Sequence, residues 1–345
     1  MQNHLGELCT LLDTMLDLKK SDGNESYLTW YDNNKQSYKA GQQKSSSKAQ
    51  QHKKDQIIAD FQSKAHPFFF QRSKEDHLRD EIPAVARYDI WVPPSKTQRE
   101  EASKFMRTSD IAVNARESNF KALPAIAQLR QICLHPFFTS SSEDEDDDGD
   151  WRSRLNDYLD MTSVDRLRGD SPKLALCADM VKFLTENGHK ILVFSEFKRP
   201  FYILEKILQS MGIGVYRMHG DEPQSHRSHH IESFNSTKAL HKVMLLTTGA
   251  SGLGLTLTGA DRMILLSPHW NPSKEEQAEG RMHRIGQKKK CVAYRIFNVG
   301  TIEQSIQGYQ HQKEANSLEA LVSVIILVGL FPSFARRNFF LTSHI

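Results

Sequence analysis

Short apolar runs alternate with helix-like segments in the second half of this chain, and this alternation constrains the fold more than any other feature. The apolar runs begin at Ile191, Val215, Val243, Met263 and Cys291. Strands that are almost entirely apolar require a sheet that is covered by helices on both faces. Because strand and helix alternate, the sequence predicts an α/β fold with a right-handed parallel sheet, and a binding site at the carboxyl ends of its strands.

Two arginines lie in a predicted helix that follows the fourth apolar run. The helix is expected to begin at Ser273, which has the spacing of a capping box with Glu276. Steps of four and three residues then bring Gln277, Arg281 and Arg284 to one face. Arginines in such a position can stabilise the charge that develops on a transferred γ-phosphoryl group. Arg281 and Arg284 are therefore candidate catalytic residues, and the alternative is a solvated basic helix.

Hydroxyl and glycine residues follow the strand that begins at Val243. They are Thr247, Thr248, Gly249, Gly252 and Gly254. Glycines in such a turn let the backbone approach a phosphate, while hydroxyl and N–H groups donate hydrogen bonds to it. The alternative is a glycine turn that serves packing alone.

Four motifs occur in order along this region. They are LVFS at Leu192, RMHG at Arg217, LLTTGASGLGLTLTGAD at Leu245, and SPHWNP followed by QAEGRMHRIGQ at Gln277. Together they resemble the second RecA-like lobe of the Swi/Snf family, whose members are superfamily-two helicase-like ATPases that move along double-stranded DNA. YRIFNVGTIEQSI at Tyr294 is most similar to the branch that contains PICH and the Cockayne syndrome B protein.

The resemblance implies roles for individual residues. It makes Arg281 and Arg284 arginine fingers, and it implies ATP contacts for Gln277, Gly252, Gly254 and Gln287. It implies contacts with the DNA backbone for Thr247, Thr248, Gly249, Arg217, Trp270 and Asn271. RMHG replaces the family's usual RxDG, so His219 stands where an aspartate is expected.

Two motifs of such an ATPase are missing from the sequence. No GxxxxGK[ST] loop and no strand-borne acidic motif occurs. MQNHLGELCTLL at Met1 resembles the end of the family's motif III, which closes the first lobe. We therefore expect an N-terminally truncated enzyme whose ATP and Mg²⁺ are bound mainly by a missing first lobe. The chain alone is expected to be inactive.

The chain divides into six predicted segments. These are a remnant of the first lobe (1–18), a flexible basic insertion (19–65), a mostly helical inter-lobe region (66–139), an acidic disordered linker (140–170), the C-terminal RecA-like lobe (171–316) and an atypical apolar tail (317–345). Residues 83–93 of the inter-lobe region have the alternation of a strand. In its last helix Leu129, Ile132 and Leu134 are expected in the core, with His135 as a structural turn residue.

The composition limits the other classes of function. Apolar residues make up 39% and charged residues 25% of the chain, as in an intracellular globular protein, and a net charge of +3 does not by itself indicate nucleic acid. Four widely separated cysteines without a CxxC pair indicate neither disulfides nor a metal site. The apolar run at 320–331 is too short for a bilayer.

Two functions from different classes fit these features. In the first, the chain is the second half of an ATP-driven DNA translocase or chromatin remodeller in the nucleus. Its partners are then the first lobe and double-stranded DNA, bare or in nucleosomes, and no membrane. In the second, it is a non-catalytic module that binds DNA or chromatin.

Overall fold

The computed structural model describes residues 5–16, 26–42, 46–65, 81–108, 122–140, 150–218, 224–249 and 255–311. The chain forms two compact units, one of residues 1–77 and 311–345 and one of residues 78–310. No helix in these described ranges combines the length and the apolar character that a membrane span requires.

In the first unit, three helices pack around a small core. They are α1 (Leu5–Met15), α2 (Tyr27–Gln42) and α3 (Lys48–Ala65). The core is built mainly from Cys9, Leu12, Tyr27, Trp30, Tyr31, Ile57 and Phe61. The carboxylate of Asp13 accepts hydrogen bonds from the N–H groups of Tyr27 and Leu28 at 2.7 and 2.9 Å. These N–H groups are in the first turn of α2 and have no acceptor within the helix itself.

The predicted flexible insertion over residues 19–65 is therefore wrong for 26–42 and 46–65. In 26–42 aromatic side chains recur at helical spacing and supply the buried area, whereas in 46–65 Ile57, Phe61 and Ala65 supply it, four residues apart. The indole N–H of Trp30 also donates to Asp60 at 2.6 Å, which joins α2 to α3.

The second unit contains a six-stranded sheet. Its strands are β1 (Val85–Val92), β2 (Ile191–Ser195), β3 (Val215–Met218), β4 (Val243–Thr247), β5 (Arg262–Leu265) and β6 (Cys291–Asn298). They lie in the order β1-β6-β5-β2-β4-β3, and every pair is parallel. The predicted parallel α/β fold is confirmed.

Helices cover this sheet on both faces. They are α4 (Lys96–Thr108), α5 (Ala122–Leu134), α6 (Asp150–Met161), α7 (Val164–Asp170), α8 (Pro172–Glu186), α9 (Pro200–Ser210), α10 (Gln224–Asn235), α11 (Pro272–Met282) and a last helix that begins at Ile302. Successive side chains of β2 enter different cores: Ile191 and Val193 enter one, and Leu192 and Phe194 the other. This alternation explains why the strand is apolar at every position.

The strand predicted within the inter-lobe region is part of the same sheet. β1 pairs with β6 along its whole length, from Val85 opposite Cys291 to Val92 opposite Asn298. Asp89 and Arg295 face each other in this register and form a two-pronged ion pair at 2.7 and 2.9 Å.

The C-terminal end of α5 docks on the lobe through polar side chains. Gln98 donates to the carbonyl oxygens of Ile132 and Cys133, and Ser171 and Asn298 donate to those of Leu134 and Cys133. These bonds satisfy carbonyl groups that the helix itself leaves free. The predicted burial is found for Ile132 and Leu134, whereas Leu129 is half-buried.

His135 follows this helix and is the expected structural turn residue. Its Nδ1 atom accepts the N–H group of Phe137 at 3.2 Å, and its ring contacts the edges of Phe138 and Tyr158. Burial lowers the pKa of His135 to about 4, so the ring is neutral at physiological pH.

The predicted disordered linker over residues 140–170 is wrong for residues 150–170. These residues form α6 and α7, whose side chains Trp151, Leu155 and Leu167 are buried in the main core. The acidic block at 143–149 and the apolar tail at 317–345 lie outside the described residues.

Candidate functional site

Three candidate DNA contacts lie at the carboxyl end of β4. Thr247 is the last residue of the strand, and the N–H group of Thr248 donates to the carbonyl oxygen of Ser195 at 2.9 Å. This bond holds the turn against the end of β2. Gly249 is exposed, and a Cβ added there would meet no neighbouring atom of the described chain within 4 Å. The turn therefore presents open backbone that a phosphate could approach.

Trp270 and Asn271 lie in the loop that follows β5, at the same edge of the sheet. Trp270 is half-buried and packs edge-to-face on Tyr309, with ring centroids 5.6 Å apart. The side chain of Asn271 accepts the N–H group of Ser273 at 3.3 Å, and Pro272 takes the first helical position of α11. The N-cap is thus Asn271, two residues before the predicted capping residue Ser273, because asparagine suits the N-cap and proline the first helical position.

A polar network that the sequence did not reveal positions this loop. Arg130 of α5, which is almost fully buried, pairs with Glu196 and donates to the carbonyl oxygen of Pro268 at 2.7 Å. On the other side, Gln310 donates to the carbonyl oxygen of His269 and to Glu275 at 2.5 and 2.6 Å.

Glu275 anchors α11 within the same network. It accepts the N–H group of His269 at 2.8 Å and a guanidinium N–H of Arg295 at 3.2 Å. Burial raises the pKa of Glu275, although these hydrogen bonds and the charge of Arg295 oppose the shift. The start of the arginine helix is thus tied to the loop that carries Trp270.

Arg281 and Arg284 lie at the far end of α11. The helix ends at Met282, so Arg284 lies beyond it, and the prediction that both arginines share one helix face is wrong. The guanidinium of Arg284 instead donates to Thr256 Oγ1 at 3.0 Å, while the carbonyl oxygen of Arg281 accepts the N–H group of Leu257 at 2.9 Å.

The two guanidiniums remain close enough to influence each other. Burial lowers the pKa of Arg281, and the positive charge of Arg284 lowers it further. The Nε atom of Arg281 is buried and has no hydrogen-bond partner among the residues that the structure describes. A half-buried cation with an unused donor beside a second cation is a site at which an anion would be stabilised.

The candidate residues therefore form two sets at opposite ends of α11. From Asn271 to Arg281 the helix advances ten residues, or about 15 Å at 1.5 Å per residue. The candidate DNA contacts lie at the carboxyl ends of the strands, as expected. The arginines do not, because α11 runs back across the sheet and carries them towards its amino edge.

The remaining predicted residues differ in their surroundings. Gln277 is half-buried on α11, one turn before Arg281. Gln287 is buried; its amide donates to the carbonyl oxygens of Thr258, Ala260 and Met282 at 2.7–3.2 Å and accepts the N–H group of Lys289 at 2.9 Å. In the described structure Gln287 therefore joins the C-terminal end of α11, at Met282, to the loop that precedes β5.

Arg217 is engaged within the lobe. It forms an ion pair with Glu205 at 3.1 Å and lies over the ring of Tyr202 at 5.0 Å. Gly252, Gly254 and His219 lie outside the described residues.

Comparisons with known proteins agree with this architecture. Residues 172–286 match the family described as "Helicase conserved C-terminal domain". The chain is 30% identical over 289 residues to the DNA excision repair protein ERCC-6-like of Bos taurus, a match that covers 73% of this chain and 23% of that protein. It is 28% identical over 317 residues to the ISWI chromatin-remodeling complex ATPase ISW1 of Saccharomyces cerevisiae, covering 91% of this chain and 26% of that protein.

A further relative and a solved structure extend the comparison. The human SWI/SNF-related matrix-associated actin-dependent regulator of chromatin subfamily A member 1 is 28% identical over 309 residues, which cover 89% of this chain and 27% of that protein. The crystal structure of the C-terminal part of the Fun30 ATPase domain superposes with a TM-score of 0.55 at 18% identity, covering 66% of this chain and 90% of that one. The chain thus spans about a quarter of the length of these relatives. The motifs, the parallel sheet and these matches together show that the chain belongs to the Swi/Snf family of superfamily-two helicase-like ATPases and contains its C-terminal RecA-like lobe.

Proposed function

We propose that this chain supplies the second RecA-like lobe of an ATP-dependent translocase that acts on double-stranded DNA in the nucleus, bare or in nucleosomes. The observation that carries the proposal is the pair Arg281 and Arg284, two neighbouring cations of which Arg281 keeps one donor that no described residue occupies. The relatives named for DNA excision repair and chromatin remodelling support the choice of DNA as partner.

The arginine pair fits the γ-phosphate of ATP. ATP would supply the phosphoryl group to be transferred, and Mg²⁺ would neutralise part of its charge. No described group of acidic, histidine or cysteine side chains could hold a metal ion, so Mg²⁺ belongs to the first lobe in this proposal. Arg281 and Arg284 would be worth most when charge develops on the phosphoryl group, and less in the resting complex.

The DNA backbone would lie at the opposite end of α11. Thr247 and Thr248 would contribute hydroxyl groups and Gly249 its N–H group to phosphate oxygens, and Trp270 and Asn271 lie at the same edge. These groups do not read bases, so binding would be independent of DNA sequence.

Helix α11 would couple the two sets. Its first turn is fixed by the bonds of Glu275 and its C-terminal end by the bonds of Gln287. A movement of the DNA-contact loop would therefore be transmitted to the arginines as a rigid-body movement of the helix.

A chimera tests the proposal. In it this chain replaces the corresponding segment of the Bos taurus ERCC-6-like protein, so that a first lobe is present. We expect DNA-stimulated ATP hydrolysis, and we expect Arg281→Ala or Arg284→Ala to lower turnover by about 10³ or more while the DNA affinity stays nearly constant.

Arg87→Ala is the matched control. Arg87 of β1 pairs at 2.7 Å with Glu279 of α11, the helix that carries Arg281. Because the Arg87 side chain is exposed, its loss should have little effect on turnover. The unfused chain should hydrolyse no ATP above background. Equal losses of DNA affinity and turnover in Arg281→Ala would make the arginines a DNA contact, and a chimera that binds DNA without hydrolysis would favour the non-catalytic binding module.

A further inference from the structure

A row of basic residues lies at the amino edge of the sheet, opposite the candidate DNA contacts. Lys242 precedes β4 and Lys190 precedes β2, while Arg262 begins β5 and Lys290 precedes β6. These four strands are consecutive neighbours. Their register places Lys190 beside Lys242 and Arg262 beside Ile191 and Val292, so the four cations lie within about two residues of one line across the strands. The row spans three strand spacings, or about 14 Å.

Hydrogen bonds to backbone carbonyl groups hold these cations in place. Lys190 donates to the carbonyl oxygens of Phe234 and Ser236 at 2.6 and 2.5 Å, and Lys242 donates to that of Thr185 at 3.1 Å. Arg262 donates to the carbonyl oxygen of Lys290 at 3.0 Å. The carbonyl groups fix the positions of the lysines without neutralising their charge, whereas Arg262 also forms an ion pair with Asp261 at 3.2 Å.

Lys288 and Lys289 add two cations next to Lys290, at one end of the row, and all three of these lysines are exposed. Asp261 is the carboxylate within the row, but it is buried and already accepts hydrogen bonds from His189, the N–H group of Lys190 and Arg262. The pKa of Lys190 is lowered, first by burial and then by the charges of Lys289 and Lys242. The lysines therefore repel one another, and a bound polyanion would relieve that repulsion.

We propose that this amino-edge row is a second phosphate-binding surface, which contacts the backbone of a segment of duplex DNA away from the candidate contacts at the carboxyl edge. One DNA strand carries a phosphate for every 3.4 Å or so of helix axis, so a row about 14 Å long faces about four phosphates.

The observations favour DNA over an acidic peptide. The cations form a line set by the spacing of the strands, and five of the six are lysines, which act as point charges towards phosphate. A surface of this kind binds through counterion release and is indifferent to base sequence.

The test compares two triple variants of the full chain in salt titrations with duplex DNA. K288Q/K289Q/K290Q removes the exposed end of the row. K48Q/K53Q/K96Q is the control, because it removes the same charge from exposed positions on α3 and α4. We expect the first variant to reduce the slope of log affinity against log salt by about 2 to 3 and to weaken binding about tenfold at 0.1 M salt, and the control to change neither.

Lysine acetylation provides an independent readout on the unmutated chain. Duplex DNA should protect Lys288, Lys289 and Lys290 from the reagent, whereas poly-glutamate of equal charge should protect them less. Salt slopes that are equal in the two triple variants would overturn the proposal, as would stronger protection by poly-glutamate. Thr248→Val tests the carboxyl edge separately, so loss of one surface can be distinguished from loss of the other.

Discussion

The ammonium group of Lys173 lies 2.6 Å from both carboxylate oxygens of Glu303, and both side chains are fully buried. The same ammonium donates to the carbonyl oxygen of Leu266 at 3.0 Å, and the carboxylate accepts the N–H group of Asn298 at 2.7 Å. The pair therefore joins α8 and the last helix to the carboxyl ends of β5 and β6, next to the loop that carries Trp270.

Removal of one partner should leave a buried charge without compensation. We expect Lys173→Met to lower the free energy of unfolding by about 3–5 kcal/mol, measured by urea denaturation. The double variant K173M/E303L should recover much of this loss, because it removes both charges. Lys96→Met breaks an exposed ion pair with Glu100 and should cost at most about 1 kcal/mol. If Lys173→Met costs no more than Lys96→Met, the buried pair does not stabilise the fold.

Leu155 tests whether α6 belongs to the folded lobe. Leu155→Ala should cost about 2–5 kcal/mol, because the side chain is 1% exposed and its removal leaves a cavity in the main core. Met161→Ala at the end of the same helix removes a side chain that is 85% exposed, and should be nearly neutral. Equal and small effects of the two changes would restore the interpretation of this segment as a disordered linker.

The central strands of the sheet could be predicted because they are apolar at nearly every position. β2 and β4 are buried on both faces, so a continuous apolar run carries the whole signal. The pairing of β1 could not be predicted in this way. Its alternation predicted a strand, but its pairing with β6 joins residues about two hundred positions apart, and no local pattern reveals such a contact.

The helices α2 and α6 were missed because composition reports an average over a segment. Their polar residues dominate the count, whereas a few side chains such as Trp30 and Trp151 supply the burial. Motifs placed Thr248 directly after β4 and Arg281 on α11, where the structure has them, and the roles of both residues in binding stay predictions. The site was not predictable where distant residues meet, as Arg130 and Glu196 do, or where the end of a helix decides the direction of a side chain, as at Arg284.

His135 should make stability depend on pH. Its pKa is about 4 in the folded chain, against an ordinary value of about 6.5, because burial disfavours the charged ring. The unfolded state therefore binds the proton first, so this stability is fully present above pH 6.5 and is lost as the pH falls towards 4. The loss should approach about 3 kcal/mol.

His135→Asn is the comparison for this prediction. Asparagine can accept the N–H group of Phe137 without titrating in this range. The difference in unfolding free energy between the two proteins should change with pH between 6.5 and 4. A difference that stays constant over this range would show that His135 does not titrate as a buried neutral ring.

Thr248 should matter for DNA binding and not for the choice of sequence. Thr248→Val keeps the shape of the side chain and the backbone bond to Ser195, but it removes the hydroxyl group. Loss of one hydrogen bond to a phosphate should weaken binding about three- to tenfold, from an affinity in the non-specific range of about 10⁻⁴ to 10⁻⁶ M. Thr97→Val, on α4, is the control for loss of a hydroxyl group elsewhere.

Fluorescence titrations with two unrelated duplexes, at several salt concentrations, measure these effects. We expect Thr248→Val to lower the affinity for both duplexes by the same factor, and we expect the salt dependence to change little, because the lost group is neutral. A tenfold preference of the unmutated chain for one duplex would show that this edge reads bases. An unchanged affinity in Thr248→Val would remove Thr248 from the proposed backbone contacts.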